Sequence, residues 1–312
     1  MDRALVTGGA GFIGSNIVEK LVEKDVEVVV LDDLFLGSED NLEQVRDEIE
    51  FIEGSVLEEE KVSEAMQGVD VVFHQAARSS SPMHKENPAE GARVNIEGFI
   101  NIAEAAVEEG ADKIVYASTS SMYGSVSPPH TEDMDLEPTN LYTASKMSRE
   151  MYARCYSYTE KIETTGLRYF SVFGPHEKAK GKYANVVTQF LWKMQKGEQP
   201  VIWGDGTQER DFVYVEDVAE ANIKAADTKE KLNGEVINVG AGKPVTFNEV
   251  VEKLNEALGK DIEPEKIENP RDKYVHEHKA ENGKAQELLE WTPQHGFEEG
   301  LKKTVEYYRK HV

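Results

Sequence analysis

Apolar residues alternate along the first half of the chain between short runs of strand length and longer stretches with helical spacing. The short runs predict strands at 4–7, 26–31, 49–53, 69–74, 113–117 and 163–171. The longer stretches predict helices at 13–22, 57–66, 88–109 and 141–159. Strands and helices that alternate in this way form a doubly wound parallel sheet, with helices on both faces. Ligands of such α/β folds bind at the carboxyl ends of the strands.

The pattern changes after residue 173. Helices are predicted at 185–196, 215–226, 247–258 and 297–310, a strand at 235–239, and an irregular charged segment at 259–284. Because these elements do not alternate regularly, we expect two domains. Residues 1–172 would hold the large sheet, with a returning segment near 210–240, and residues 173–312 would form a smaller α/β domain that binds the substrate.

The composition of the chain excludes several classes of binding partner. The net charge of −24 repels nucleic acid and anionic membranes. The single Cys155 excludes a disulfide framework, and no stretch approaches the roughly 20 apolar residues of a membrane span. Met1-Asp2-Arg3 leads directly into the first apolar run, without a signal peptide. We therefore expect a cytoplasmic protein without nucleic-acid or membrane partners, and a local basic pocket if the substrate is anionic.

A glycine-rich loop follows the first strand and precedes the first helix, with the sequence Gly8-Gly9-Ala10-Gly11-Phe12-Ile13-Gly14. Glycines allow a tight turn and let backbone N–H groups approach a pyrophosphate at the helix N-terminus. Asp32 closes the second strand, where an acid hydrogen-bonds the adenosine ribose. Since a carboxylate there repels a 2′-phosphate, NAD is favoured over NADP. The sequence thus predicts a Rossmann-type domain that binds NAD.

Tyr142 and Lys146 are four residues apart on a predicted helix, so their side chains lie on one face. A nearby cation lowers the pKa of a phenol, which makes the pair a candidate general base for an alcohol. The same spacing is common on exposed helices, so the pair gains meaning only beside the glycine loop. The hydroxyl-rich segment 118–121 follows the fifth strand and could hold a substrate oxygen, although such segments also serve only as turns.

Further motifs extend along the chain in a fixed order. They are Thr7-Gly8-Gly9-Ala10-Gly11-Phe12-Ile13-Gly14, Asp32-Asp33-Leu34, His74-Gln75-Ala76-Ala77, Tyr142-x-x-x-Lys146, Leu167-Arg168-Tyr169-Phe170, Gly174-Pro175, Gly204-Asp205-Gly206, Arg210-Asp211-Phe212-Val213 and Asn238-Val239-Gly240. With these motifs the chain resembles the extended short-chain dehydrogenase/reductase family, specifically nucleotide-sugar epimerases of the UDP-glucose 4-epimerase type. The resemblance covers essentially the whole chain.

The resemblance implies a role for each matching residue. Tyr142 would be the catalytic base, Lys146 its electrostatic partner on the nicotinamide ribose, and Thr119 the hydrogen-bond partner of the reacting sugar oxygen. The implied NAD site consists of Gly8, Gly11, Phe12, Ile13, Gly14, Asp32, Asp33, Ser55, Val56, Gln75, Ala76, Ala77, Asn95, Ser118, Tyr142, Lys146 and Tyr169. The implied substrate site consists of Ser79, Ser80, Thr119, Ser120, Tyr142, Ser171, Asn185, Val186, Arg210, Arg271 and His278. The two arginines would clamp the nucleotide diphosphate, because their forks bind its oxygens bidentately, and no metal is expected.

The implied activity is reversible, NAD-dependent inversion at C4 of a UDP-hexose through a 4-keto sugar. The substrate pair would be UDP-glucose and UDP-galactose, or their N-acetyl counterparts. Ser120 and Ser121 stand where the family's 4,6-dehydratases carry Asp-Glu, and the missing Glu also argues against UDP-glucuronate decarboxylation. Ser171 replaces a frequent Asn and Ser55 a frequent Asp, so the contacts of these positions are expected to change. The alternatives are a UDP-uronate 4-epimerase, another nucleotide-sugar oxidoreductase of this fold, and a non-catalytic NAD-bound regulator.

The resemblance also implies a homodimer joined through a four-helix bundle. The helices concerned would be 88–109 and 141–159. Apolar residues available for that contact are Ala103, Val107, Met147, Met151 and Cys155.

Overall fold

A seven-stranded parallel sheet organises the fold of the computed structural model, which describes residues 1–159, 161–269 and 275–311. The strands are β1 Arg3–Thr7, β2 Glu27–Asp32, β3 Ile49–Glu53, β4 Val71–His74, β5 Lys113–Thr119, β6 Glu163–Tyr169, β7 Ser171–Phe173, β8 Val201–Trp203, β9 Glu209–Tyr214, β10 Val236–Val239, β11 Pro244–Thr246 and β12 Glu265–Ile267. The helices are α1 Phe12–Val22, α2 Glu59–Met66, α3 Ser81–Glu86, α4 Pro88–Ala92, α5 Gly98–Glu109, α6 Leu141–Tyr158, α7 Val186–Gln195, α8 Val215–Asp227, α9 Phe247–Leu258, α10 Gly283–Leu289 and α11 Phe297–His311. Short 3₁₀ segments span Glu39–Glu48, Ser120–Tyr123 and Lys178–Tyr183, and a π turn, Arg93–Glu97, joins α4 to α5.

The order of strands in the large sheet is β10-β6-β5-β4-β1-β2-β3. The chain therefore moves outward from β1 to β3, returns to pair β4 beside β1, and continues in the other direction. Thr7 at the end of β1 pairs with Leu31 of β2 on one side and His74 of β4 on the other. This reversal of strand order opens a crevice above the end of β1, which is where ligands bind in open α/β sheets.

Alternate side chains of the central strands β1, β2, β4 and β5 enter two different apolar cores. On β1, Ala4 and Val6 pack into one core together with Ile17 of α1, whereas Leu5 packs into the other together with Phe99 of α5. Both faces of the sheet are thus covered. This explains why the strands appear in the sequence as continuous apolar runs, and the predicted doubly wound sheet is confirmed.

The second half of the chain adds two small sheets and a layer of helices. Strands β11, β9 and β7 form one sheet, and β12 pairs with β8. The predicted helices at 215–226, 247–258 and 297–310 are confirmed as α8, α9 and α11. The single predicted strand at 163–171 is wrong: β6 ends at residue 169, and β7 pairs with β9 in a different sheet. Strands this short carry little periodic signal, and they form through pairing with distant partners.

The described helices include none long and apolar enough to cross a lipid bilayer.

Candidate active site

The conformation of the glycine loop between β1 and α1 depends on the absence of side chains at Gly8 and Gly14. Gly8 has a φ of +69°, a conformation that strains any residue with a side chain. A Cβ on Gly14 would lie 2.1 Å from the carbonyl oxygen of Gly8, so the loop packs on the first turn of α1 only because position 14 is glycine. The N–H groups at the start of α1 thereby stay close to the end of β1. A pyrophosphate fits this cradle, because a helix N-terminus favours negative charge.

Asp32 lies beside this loop and is 6% exposed. Its Oδ2 accepts a hydrogen bond from the Ala10 N–H at 2.9 Å, and its Oδ1 accepts one from the Leu34 N–H at 2.8 Å. Burial raises the pKa of Asp32 to about 6, although these backbone donors act in the opposite direction. The carboxylate is held in place at the wall of a cavity. A ribose hydroxyl can donate to it there, so the residues present fit NAD.

Helix α6 positions the candidate base. Its N-terminus has a capping box, in which the Thr143 N–H donates to Asn140 Oδ1 at 3.0 Å and the Asn140 N–H donates to Thr143 Oγ1 at 3.1 Å. Tyr142 therefore lies in the first turn, where it is buried. Its phenol lies in the same cavity wall as Thr119, the last residue of β5. Burial raises the pKa of Tyr142, whereas the contact with Thr119 lowers it.

Lys146 lies one turn beyond Tyr142 on α6 and is buried. Its Nζ donates to the carbonyl oxygen of Ala117, 3.0 Å away near the end of β5. Burial holds the pKa of Lys146 well below its usual range, and the charge of Arg149 acts in the same direction, while Glu150 opposes both. The predicted pair thus shares one helix face, with the ammonium tethered to the strand that carries Thr119.

Arg149 is a member of this site that the sequence reasoning missed. It is fully buried, and its guanidinium donates to the carbonyl oxygens of Asn95 at 2.9 Å, Ala117 at 3.4 Å and Ala76 at 3.3 Å. Burial lowers the pKa of Arg149 to about 10, so the group remains a cation at neutral pH. Its charge lowers the pKa of Tyr142. The only available signal was its place three residues after Lys146, on nearly the same helix face.

A single cavity of about 1250 Å³ connects the glycine loop, the Tyr142 region and the second half of the chain. The predicted site residues that line it are Gly8, Gly11, Phe12, Ile13, Gly14, Asp32, Asp33, Val56, Gln75, Ala76, Ala77, Ser79, Ser80, Ser118, Thr119, Ser120, Tyr142, Lys146, Tyr169, Ser171, Asn185, Arg210 and His278. Predicted residues outside its wall are Ser55, Asn95 and Val186. Arg271 falls outside the described residues.

Two of the residues outside the wall have other structural roles. The Ser55 N–H donates to Glu58 Oε2 at 2.6 Å, in the turn that leads into α2. Asn95 is fully buried, and its amide pairs with both main-chain polar groups of Arg78: Oδ1 accepts from the N–H at 2.9 Å, and Nδ2 donates to the C=O at 3.3 Å. Asn95 therefore contributes to the cavity through Arg78, which does line it.

The wall of the cavity is basic although the protein is strongly acidic. Its basic side chains are Arg78, Lys85, Lys146, Lys180 and Arg210, and its acidic ones are Asp32 and Asp33. Arg78, Lys85 and Lys180 were not predicted. Arg78 directly follows the motif 74–77, which was the one sequence signal for it. This local excess of positive charge attracts an anionic substrate, which the net charge of −24 would otherwise repel.

His278 closes the cavity beside the 3₁₀ turn that follows β5. It is 7% exposed, and its Nε2 lies 3.1 Å from the carbonyl oxygen of Ser120. Burial lowers the pKa of His278 to about 3, with further contributions from His130 and Arg210. The ring is therefore neutral at physiological pH, and Nε2 carries the proton that it donates to Ser120. His278 thus acts as a rigid, uncharged wall.

The fold and the site define a dinucleotide-binding protein of the short-chain dehydrogenase/reductase class, with a Thr-Tyr-Lys constellation at the carboxyl edge of its sheet. Residues 4–240 match the sequence profile of the NAD dependent epimerase/dehydratase family. The chain belongs to this family, whose cofactor is NAD.

Named relatives agree with this assignment. A putative UDP-glucose 4-epimerase of Methanocaldococcus jannaschii is 37% identical over 98% of both chains. The structure of the Thermotoga maritima UDP-glucose 4-epimerase with UDP-glucose superposes with a TM-score of 0.92, at 37% identity and 99% coverage of both chains. A UDP-N-acetylglucosamine 4-epimerase from Methanobrevibacter ruminantium, in complex with UDP-N-acetylmuramic acid, gives a TM-score of 0.93 at 31% identity, covering 100% of this chain and 99% of that one.

Proposed function

We propose that the protein is an NAD-dependent UDP-sugar 4-epimerase that interconverts UDP-glucose and UDP-galactose or the corresponding N-acetyl pair. The observation that carries the proposal is that Thr119, Tyr142 and Lys146 lie together in the wall of a cavity that also contains the glycine loop and Arg210. One end of this cavity suits a dinucleotide, the other suits a nucleotide diphosphate, and the two hydroxyls lie in the same cavity wall. The names and structures of the relatives support the same activity.

The chain's own residues handle the proton. When bound, NAD supplies reversible hydride transfer at C4. Tyr142 takes the proton of the 4-hydroxyl group and returns it after the 4-keto sugar has presented its other face, while Thr119 holds the oxygen. Because burial raises the pKa of Tyr142, the base depends on nearby positive charge, and Arg149 provides one such charge. Arg210 is positioned to bind the diphosphate as a fixed pivot while the sugar turns.

The positions of the carboxyl groups in the cavity wall favour epimerisation over water elimination. Among the described residues of the wall, Asp32 and Asp33 are the only carboxyl groups, and both follow or end β2 beside the glycine loop. Ser120 and Ser121 line the wall next to Thr119. Elimination between C5 and C6 needs an acid and a base at the sugar, and hydroxyl groups are poor substitutes. This arrangement favours inversion at C4 over dehydration.

A UDP-uronate 4-epimerase is a second candidate, favoured by Lys85 in the cavity wall. An ammonium group there could pair with a sugar carboxylate. A non-catalytic regulator is disfavoured, because Thr119, Tyr142 and Lys146 are all present in the cavity wall.

The test is a substrate panel with the purified protein and supplied NAD: UDP-galactose, UDP-N-acetylgalactosamine and UDP-galacturonate, with products resolved by chromatography. We expect conversion of one of the first two to its C4 epimer. Conversion of the uronate alone would establish the second candidate, and no conversion of any of the three would overturn both. Tyr142→Phe should abolish turnover while NAD remains bound, and a fully active variant would remove Tyr142 as the base.

We also propose that the protein is a homodimer joined through α6. Leu141, Met151, Tyr152 and Tyr158 are exposed apolar residues on this helix, and Cys155 is exposed between them. Met151, Cys155 and Tyr158 recur at the spacing of one helix face, which forms a stripe that a second helix could cover. Ala103 does not contribute, because it is fully buried in the core beneath α5. Light scattering should give a mass twice that of the chain, and a monomer at all concentrations would refute this proposal.

The division into 1–172 and 173–312 is likewise proposed. In its support, β10 pairs with β6 in the large sheet, as a returning segment would. Limited proteolysis between the two parts would test it.

A further inference from the structure

Arg78 connects two loops that leave the large sheet on either side of β1. Asp33 directly follows β2, and Arg78 follows β4 by four residues. In the sheet, β1 lies between these two strands. Arg78 Nη2 donates to Asp33 Oδ2 at 3.1 Å, so the ion pair spans the carboxyl end of β1. That end continues into the glycine loop, and Gly8, Asp33 and Arg78 line the same cavity.

The aromatic ring of Phe35 stacks on the guanidinium of Arg78. Its central carbon lies 3.8 Å from the centroid of the Phe35 ring. Phe35 is 53% exposed, which places the stack at the protein surface. The Arg78 side chain is only 11% exposed beneath it. The ring therefore screens the Arg78–Asp33 ion pair from solvent on one side.

The remaining groups of Arg78 are held by α4 and the π turn that follows it. Its main chain is paired with the amide of the buried Asn95, and Nη2 makes a second contact with Glu90 Oε1 at 3.3 Å. Its Nε is buried and has no hydrogen-bond partner among the described residues. An unpaired buried donor is costly, so the contacts within the protein do not fully satisfy this guanidinium.

We propose that Asp33, Phe35 and Arg78 form a cofactor strap, a bridge across the end of β1 that holds the adenosine half of NAD against the glycine loop, with Arg78 as a cofactor-binding residue. The ligand chemistry is that of the adenosine ribose of a dinucleotide, whose hydroxyl oxygens can accept from guanidinium N–H groups and whose hydroxyl protons can be donated to the Asp33 carboxylate. Opening the strap requires that the Arg78–Asp33 contact and the Phe35 stack break together. The strap therefore slows cofactor release.

This inference rests on the NAD site and gains its purpose from the proposed epimerisation. An epimerase returns the hydride to the sugar from which it came, so the reduced cofactor must not leave between the two half-reactions. A strap that closes over the dinucleotide meets this need without any contact with the sugar.

The test measures cofactor release without any sugar nucleotide, so its outcome does not depend on whether the proposed reaction occurs. Protein loaded with NADH is mixed with excess NAD, and the loss of NADH fluorescence gives the dissociation rate. We expect Arg78→Ala to accelerate release about tenfold or more, the equivalent of roughly 1.4 kcal/mol. Arg78→Lys should fall between this variant and the wild type, since it keeps the charge but loses the fork and the stack.

Phe35→Ala is included because it should fold normally: the residue is exposed, and its removal breaks only the stack. It should accelerate release by a smaller factor. Arg46→Ala is the matched control: Arg46 also lies over a phenylalanine, Phe51 at 5.2 Å, and pairs with an acid, Glu39 at 3.2 Å, but it is not in the cavity wall. Release rates of Arg78→Ala and Phe35→Ala equal to that of Arg46→Ala would overturn the strap. Tighter binding of NADP than NAD, lost in Arg78→Ala, would also overturn it by showing that Arg78 binds a 2′-phosphate.

Discussion

The buried guanidinium of Arg149 donates from Nε to the main-chain oxygen of Asn95, 2.9 Å away. Through its other nitrogens it also contacts the carbonyls of Ala117 and Ala76, near the ends of β5 and β4. One side chain thus ties α6 to the strand ends that surround the proposed catalytic hydroxyls. Because it is a cation in a buried position, it also acts on the pKa of Tyr142.

Replacing Arg149 with Met should therefore change the pH dependence of turnover. Loss of the positive charge raises the pKa of Tyr142, which must lose its proton to act as a base. The acid limb of the kcat profile should move to higher pH by about one unit, equivalent to roughly 1.4 kcal/mol, and activity at neutral pH should fall about tenfold. Arg149→Lys keeps a charge and should shift the limb less. An unchanged limb in a folded Arg149→Met variant would contradict this role.

The glycine loop should not tolerate a single added methyl group at position 14. Gly14→Ala places a Cβ 2.1 Å from the Gly8 carbonyl oxygen, so the loop or the start of α1 must move. We expect loss of bound NAD in the purified protein and a decrease of about 1–3 kcal/mol in the free energy of unfolding. Gly296→Ala is the control, since its Cβ would meet open space. Both variants can be compared by cofactor absorbance and urea titration, and retention of NAD by Gly14→Ala would refute the prediction.

The affinity for NAD should weaken at mildly acidic pH because of Asp32. Its pKa is raised to about 6, so the protonated form accumulates below that pH, and a protonated carboxyl is a poorer acceptor for ribose hydroxyls. Below the pKa the affinity should fall by at most about tenfold per pH unit. The affinity should be measured by calorimetric titration between about pH 5 and pH 8, a range that includes the raised pKa of Asp32. Asp32→Asn should bind more weakly and without this pH dependence.

The raised pKa of Asp32 also affects how the stability of the protein depends on pH. A carboxyl whose folded pKa is raised contributes stability that is present below its ordinary pKa of 3.8 and is lost as the pH rises through about 6. In the cofactor-free protein, Asp32→Asn should therefore flatten the dependence of unfolding free energy on pH in that window.

A buried ion pair behind the site provides a separate test of the fold. Arg168 contacts Glu150 through two hydrogen bonds, Nη2 to Oε2 at 2.8 Å and Nε to Oε1 at 3.0 Å, and both side chains are largely buried. Glu150→Ala leaves the arginine charge unpaired and should cost about 3–5 kcal/mol in urea unfolding. The double variant Glu150→Met with Arg168→Met should recover most of this loss. A double variant no more stable than the single one would show that the remaining contacts of Arg168 matter more than its charge.

Several functional features followed from the sequence because they depend on neighbours along the chain. The glycine loop, the acid at the end of β2 and the four-residue spacing of Tyr142 and Lys146 are local patterns, and each occupies the element predicted for it. The apolar runs predicted the parallel sheet, since strands buried on both faces must be apolar throughout. Four of the strands that were missed, β7, β8, β11 and β12, have three residues each, whereas β9 was missed although it has six. Such short segments are stabilised only by pairing.

What the sequence by itself determined was the class of the sheet, the cofactor edge and the candidates for the proton-handling residues. Only the tertiary structure decided which distant groups meet there. Arg78 and Asp33 are 45 positions apart and come together because β1 is inserted between their strands. Arg149 reaches Asn95 across 54 positions, and Thr119 reaches Tyr142 because β5 ends beside the first turn of α6. Local spacing cannot predict such contacts, because they depend on the order of strands in the sheet and on the packing of helices against it.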